Sequence, residues 1–481
     1  MEGRREARLE GLAGKRTAAG VVALLPHGNV SRVALLPSRN RRGFSCFGNG
    51  TGASLWCGGA IVLLYTYGLR GCSHGQLCAA GPGYQHISAV LEDPVPSQIL
   101  HQLFGEDVVA RVWGAFAARS EGFFDGAARA VLEQGNPAFA LGCQGPDIFY
   151  HNLRTRPVGL EYGSLLHRRG YGTFSRALLD GVLDRGAYKG CGDRRSHGDF
   201  DTHERGNSRQ TAPFSLFSDD LGLYALGFLT HPFLDRGAHP YIISKSGWVS
   251  PAEPETGRFA RSHAFFERIL DVLMLELLRG RSAAYWEQES VLGARCADPP
   301  EDLGELWETS LRTAYPERAG GDEKLPLRIA NAFRDAASFY AMTDPSRTSG
   351  RNPRRDDAWS KRAKNNRSVL ALVYPEGLPL DLDYLNLRRA GWMHPCIEAG
   401  TIHLSFKEIY ENAVSGAAIR VEALLRSLFE KGSLPGNTAE LIGNEGLSIQ
   451  DSQGRTCSPE RSDPLPLDAV MEGQYQRRLS S

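Results

Sequence analysis

From about Gly81 onward, apolar and polar positions alternate with the period of an α-helix. Between Ser97 and Phe116 the apolar residues Ile99, Leu100, Leu103, Val108, Val109, Val112 and Phe116 fall at helical spacing. Asp125–Glu133, Pro137–Leu141 and Arg176–Leu183 read the same way. Ser218-Asp219-Asp220 offers a helix start, and Leu221, Leu223, Leu226, Phe228 and Leu229 follow it. Pro232 falls inside that helix and, lacking a backbone donor, is expected to kink it. Phe259–Leu278 is the clearest helix, with Phe265, Ile269, Val272, Leu273 and Leu277 on one face. Pro326–Met342 is a further helix. Leu404–Leu428 is a long amphipathic one built on Phe406, Ile409, Tyr410, Ala413, Ala417, Val421 and Leu424. Strand signals are few, Val369–Val373 being the best, and no internal repeat is visible. The pattern predicts an all-α protein.

Where periodicity fails, it divides the chain. Residues 1–80 are rich in Arg, Gly and Ser and read as a poorly ordered leader. Residues 81–435 read as one helical domain, interrupted at 186–213 by a polar, Gly-rich surface insertion. Residues 436–481, polar and rich in Pro and Ser, read as a flexible tail. Ser346–Arg367 is a basic, Pro-interrupted loop whose charges could meet lipid headgroups or nucleic-acid phosphates. Asp356 and Asp357 dilute it, and a solvated loop is the simpler reading.

Composition narrows the function classes. The 481 residues are 42% hydrophobic and 23% charged, which is ordinary for a globular chain. Formal net charge is zero, so bulk electrostatics favours neither nucleic acid nor an anionic membrane. Nine cysteines occur with no Cys-x-x-Cys pair, which argues against both a disulfide framework and a zinc ribbon. Reduced thiols and a cytoplasmic setting follow, with secretion the alternative if the leader is processed. No apolar run is long enough for a transmembrane helix. Leu55–Leu69 has the length of a signal-peptide apolar region but lies too far along the chain for one.

Within the helix that starts at Ser218-Asp219-Asp220 lies Gly227-Phe-Leu-Thr-His231-Pro-Phe-Leu-Asp235-Arg-Gly-Ala-His239-Pro. A step of four residues advances about 40° around a helix, so His231, Asp235 and His239 form one stripe. Imidazole and carboxylate are ligands that Zn²⁺ prefers. The stripe is flanked by apolar residues, and buried imidazole and carboxylate need partners that a metal can supply. The plain alternative is a polar helix face. His263 and Glu267 repeat the step of four; alone, they read equally as a surface pair. Asp147, in Gly142-Cys-Gln-Gly-Pro-Asp147-Ile-Phe-Tyr, reads as a metal ligand or as the cap of a following helix. His167 and His86 are weak candidates by themselves. His197, Asp199, Asp201 and His203 sit in a Gly-rich stretch and read as a solvated loop.

Taken in order, His86, Asp147, His167, His231, Asp235, His239, His263 and Glu267 resemble the bacterial zinc-dependent phospholipase C family, in an uncharacterised branch. The similarity extends more remotely to fungal single-strand-specific nucleases. It covers roughly residues 82–430 and includes Asp383-Tyr-Leu-Asn386, Trp392-x-x-Pro395 and Ser405-Phe406-x-x-x-Tyr410. The resemblance implies a helical fold around two or three Zn²⁺ ions. One ion would use Asp147, His167, His231 and Asp235. A second would use His239, His263 and Glu267. A third would share Asp235 and take His86, with an amino-terminal Trp that this chain lacks beside His86. Asp147 would also be the catalytic base or orient the attacking water. The expected function is zinc-dependent hydrolysis of a phosphodiester, of the phospholipase C type, on a phospholipid headgroup with peripheral membrane contact. A nuclease of the same superfamily and a metal-stabilised scaffold without turnover are the alternatives.

Overall fold

A computed structural model describes residues 53–57, 60–64, 97–192, 217, 219–250, 252–348, 370–398 and 400–480. The chain divides into two compact units, Met1–Ala79 and Ala80–Ser481. In the first, strands β1 (Ala53–Cys57) and β2 (Ala60–Leu64) pair antiparallel.

The second unit is helical, as the periodicity predicts. Its order is α1 (Ile99–Ala117), α2 (Asp125–Leu132), α3 (Pro137–Cys143), α4 (Leu160–Arg168), α5 (Tyr171–Gly192), α6 (Asp220–Ser246) and α7 (Ser262–Arg279). Then come α8 (Ala294–Ala297), α9 (Leu303–Ala314), α10 (Pro316–Ala319), α11 (Leu325–Thr343) and α12 (Pro345–Thr348). A short hairpin, β3 (Trp392–Met393) with β4 (Thr401–Ile402), precedes α13 (Phe406–Lys431), α14 (Thr438–Ile442) and α15 (Leu467–Ser480).

Local chemistry sets these boundaries. The Asp219 side chain accepts from Gly222 N at the start of α6. Ser405 and Glu408 form a capping box on α13, and Gly432 closes that helix in the left-handed region. Asn136 caps α3, with Pro137 in its first turn.

α6 is the axis of the fold and is buried along both sides. Leu223, Leu226, Leu234, Ala238, Tyr241 and Ile242 enter one core cluster with α1, α7 and α13. Leu221, Tyr224, Ala225, Phe228 and Leu229 enter the other with α4, α5, α9 and α11. Each large side chain so buried contributes about 1.5–3 kcal/mol of transfer free energy. α3 lies against α6 backbone to backbone. A Cβ on Gly142 would stand 2.1 Å from Tyr224 O, and one on Gly227 would stand 2.3 Å from Phe139 O. Only glycine allows that approach.

α6 runs as one helix through Pro232 and Pro240. Pro232 leaves the Phe228 carbonyl without its helical donor, and the Tyr171 hydroxyl donates to that oxygen at 2.7 Å. The strand expected at Val369–Val373 is a turn over Leu370–Val373, closed by Val373 N to Leu370 O, with Leu370, Ala371 and Val373 buried; Val369 lies outside the described residues. α5 carries the helix to Gly192, into the expected insertion at 186–213, whose remainder lies outside the described residues. Residues 436–480 are not a loose tail. They form α14 and α15 and bury Ile442, Leu447, Ile449, Leu467 and Val470. A disulfide, Cys396–Cys457, joins this segment to the region after β3, against the expectation of reduced thiols. Among the described residues no helix is long and apolar enough to cross a membrane.

Candidate metal centre

The centre is assembled from α1, α4, α6, α7 and the turn between α3 and α4. α6 contributes the stripe His231, Asp235 and His239, all buried. Asp147 comes from a tight turn, Gly145–Phe149, that lies directly on His231. Gly145 has φ +55°, and a Cβ there would meet the His231 ring at 2.5 Å. The turn therefore needs glycine for its conformation and for the space. His167 sits in the last turn of α4. His263 and Glu267 stand one turn apart near the start of α7.

His101 on α1 also reaches the centre, a residue missed in the sequence. It is buried, and its Nε2 lies 3.2 Å from Asp235 Oδ1 and 3.9 Å from Asp147 Oδ2. Its ring stacks on His231 with centroids 4.2 Å apart. A signal was present: His101 precedes Phe104 by three residues and Val108 by seven, so it lies on the apolar stripe of α1. α7 fixes its height, because Asp271 accepts from Gln98 N at 3.1 Å and Leu100 N at 2.7 Å, capping α1. His86, expected as a ligand, lies outside the described residues, as do His197, Asp199, Asp201 and His203.

The side chains form two groups. In the inner one, His167 Nε2 lies 2.9 Å from Asp147 Oδ1 and 3.7 Å from Asp235 Oδ2. His231 Nε2 lies 3.1 Å from the same Asp235 Oδ2. In the outer one, His263 Nε2 is 3.2 Å and His239 Nε2 3.9 Å from Glu267 Oε1. Candidate ligand atoms cluster within 4.8 Å in three sets: His101, Asp147 and His231; His167, His231 and Asp235; and His239, His263 and Glu267.

The opposite ring nitrogens are held by main chain. Nδ1 of His167 meets Gly163 O at 2.8 Å, that of His231 meets Cys143 O at 3.1 Å, and that of His239 meets Leu447 O at 2.7 Å. Such contacts fix the tautomer of each ring when it is neutral, with the proton on Nδ1 and the lone pair on Nε2, the form that ligates a metal. On the inward side, Asp147 Oδ2 and Glu267 Oε2 are buried without a hydrogen-bond partner, and His231 Nε2 faces only the Asp235 carboxylate. Buried polar atoms are costly unless something satisfies them. The donor set of imidazoles and carboxylates fits Zn²⁺.

The local field follows the same design. Burial alone would raise the Asp235 carboxyl, but His231, His239 and His101 around it hold it well below the usual carboxylate range. Burial pulls His101 down, yet Asp235, Asp147 and Glu267 outweigh it and leave its pKa raised. His167 is likewise raised against burial, chiefly by Asp147. Burial wins at His239, whose pKa falls.

One strap ties the two groups together. Leu447 N donates to His167 O at 2.7 Å while Leu447 O receives His239 Nδ1. Arg236, one residue past Asp235, binds the same strap through Ile442 O at 2.7 Å, Gly443 O at 3.1 Å and Glu445 O at 3.2 Å.

No protein-family model, curated protein or solved structure matches this chain.

Proposed function

We propose that this protein is a zinc-dependent phosphodiester hydrolase of the phospholipase C type. The observation that carries the reading is the convergence of five histidine rings and three carboxylates, with the Nδ1 atoms of His167, His231 and His239 tied to carbonyls. The inner group, with Asp147, His167, His231, Asp235 and His101, would hold one or two ions. His239, His263 and Glu267 would hold another. Bound zinc would supply a Lewis acid for the phosphoryl oxygens and a nucleophilic water at neutral pH.

The protein's own groups set up the rest. Asp147, whose Oδ2 has no hydrogen-bond partner, would accept a proton from the attacking water and orient it. Asp235 lies against three imidazoles and would offset part of the charge of ions held there. Exposure of the His167 and His263 side chains, 13% and 22%, marks the side from which substrate would enter. The Cys396–Cys457 bridge favours an oxidising setting rather than the cytoplasm.

Metal analysis and turnover of the purified chain test this reading. The expected result is bound zinc, with release of the phosphorylated headgroup from phosphatidylcholine that a chelator stops and added zinc restores. Protein that retains no zinc overturns the proposal. Zinc with cleavage of single-stranded DNA instead would make it a nuclease, and zinc without turnover of either substrate a scaffold.

A further inference from the structure

Behind the metal stripe, α6 presents a second one. Phe233, Gly237 and Pro240 line a groove of about 480 Å³ that α13, the β3–β4 hairpin and the strap complete. On a helix Gly237 lies about 200° from Asp235, so the groove and the metal centre stand back to back on α6. The volume falls in the range of about 300–1,000 Å³ typical of ligand sites. Its walls are apolar, from Phe233, Trp392, Ile402, Leu404, Ile409 and Ala413. Two arginines, Arg236 and Arg420, and two glutamates, Glu440 and Glu445, balance at its edges. Arg236 is already engaged by the strap carbonyls. The groove therefore offers no net charge to an ionic headgroup and a long wall to hydrocarbon. Leu404 at its edge is 39% exposed, and the same segment leaves Leu387 and Met393 open to solvent.

We infer that this groove binds one acyl chain of a phospholipid, drawn from the surface on which the enzyme works. The inference rests on the proposed function for the source of the chain, and on the groove alone for the binding of hydrocarbon. The occupant would lie against Ile442 and Gly443 of the strap whose Leu447 holds His239. A lipid chain would thus brace the segment that aims a metal ligand.

Trp392 in the wall is the reporter. Phosphatidylcholine carrying brominated acyl chains should quench its fluorescence, and Trp392→Phe should remove most of that quenching. Gly416 is the place to close the groove: it lines the space, and a Cβ there meets only Arg420 Nη1, at 3.4 Å. Gly416→Leu should weaken quenching about tenfold, the effect of excluding two buried methylenes, with zinc content unchanged. No quenching in the wild type, or equal quenching in Gly416→Leu, overturns the inference. Quenching by brominated dodecanol but not by the phospholipid overturns its choice of occupant. Because binding is read without turnover, the two ideas separate. A groove that fills in a protein that cleaves no phosphodiester sinks only the enzymatic reading; hydrolysis with an empty groove sinks only this one.

Discussion

The inner and outer groups of the candidate metal centre use similar side chains in different settings. His231 is fully buried and is enclosed by Gly145, His101 and the Cys143 carbonyl. His263 keeps 22% of its side chain exposed, and its group has a single carboxylate, Glu267. The inner group shares two carboxylates among three imidazoles: His101 and His167 each face both Asp147 and Asp235, and His231 faces Asp235. The difference teaches a division of labour: rigidity and charge are concentrated inside, while access lies outside.

Asp235→Asn should break the comparison most severely. Loss of the shared carboxylate is expected to empty the inner group and reduce turnover by far more than the 10–100-fold that outer-shell losses cause. Glu267→Gln should release only the outer ion. Zinc stoichiometry of the two variants decides this, and equal losses would mean that the groups are one site. Arg236→Ala is the next largest. It frees the strap that touches both groups, so metal affinity at each should fall about 10–100-fold, read by competition with a chromophoric chelator. A fall confined to one group would show that the strap serves only that group.

Gly145→Ala probes the inner wall alone. Left-handed backbone costs roughly 1–2 kcal/mol for alanine, and displacement of the His231 ring adds to it. Thermal unfolding should move down by a few degrees, with the inner ion weakened and the outer one retained.

His151 gives the smallest and most specific test. It is buried near the inner group, stacked on Phe339, with Nε2 lacking a partner. Burial pushes its pKa down to about 3, whereas carboxylates hold His101 and His167 up. The folded state keeps His151 neutral while the unfolded chain takes up a proton below about pH 6.5. Stability is therefore full above that pH and falls toward pH 3, by about 1.4 kcal/mol per pH unit. Between pH 6.5 and 5 the loss is about 2 kcal/mol, and His151→Phe should remove that part of the slope in denaturant titrations.

The sequence made the long helices legible because their faces repeat. α7 and α13 lie within a few residues of their expected bounds, and Asp219 caps α6 as its position suggested. The stripe on α6 and the pair on α7 were legible for the same reason: a step of four survives in any helix. What escaped notice depends on distance along the chain. His101 sits among leucines and phenylalanines, and only the approach of α6 turns it into a neighbour of Asp235. Cys396 and Cys457 are 61 residues apart and share no motif. Residues after Gly432 look polar because much of their contribution is made by backbone groups such as Leu447 O and Gly443 O, which leave no mark in composition.

That last contact has a temporal consequence. His239 finds its carbonyl at Leu447, 208 residues further along the chain. A chain growing from its amino terminus exposes all eight acids and imidazoles of the centre long before the residue that sets the His239 ring is made. During synthesis the ligands are made early, but the outer pocket takes its final shape only when the segment around Leu447 has docked. Maturation of the centre is thus a late event, timed by the arrival of a stretch that contributes no side-chain ligand to it.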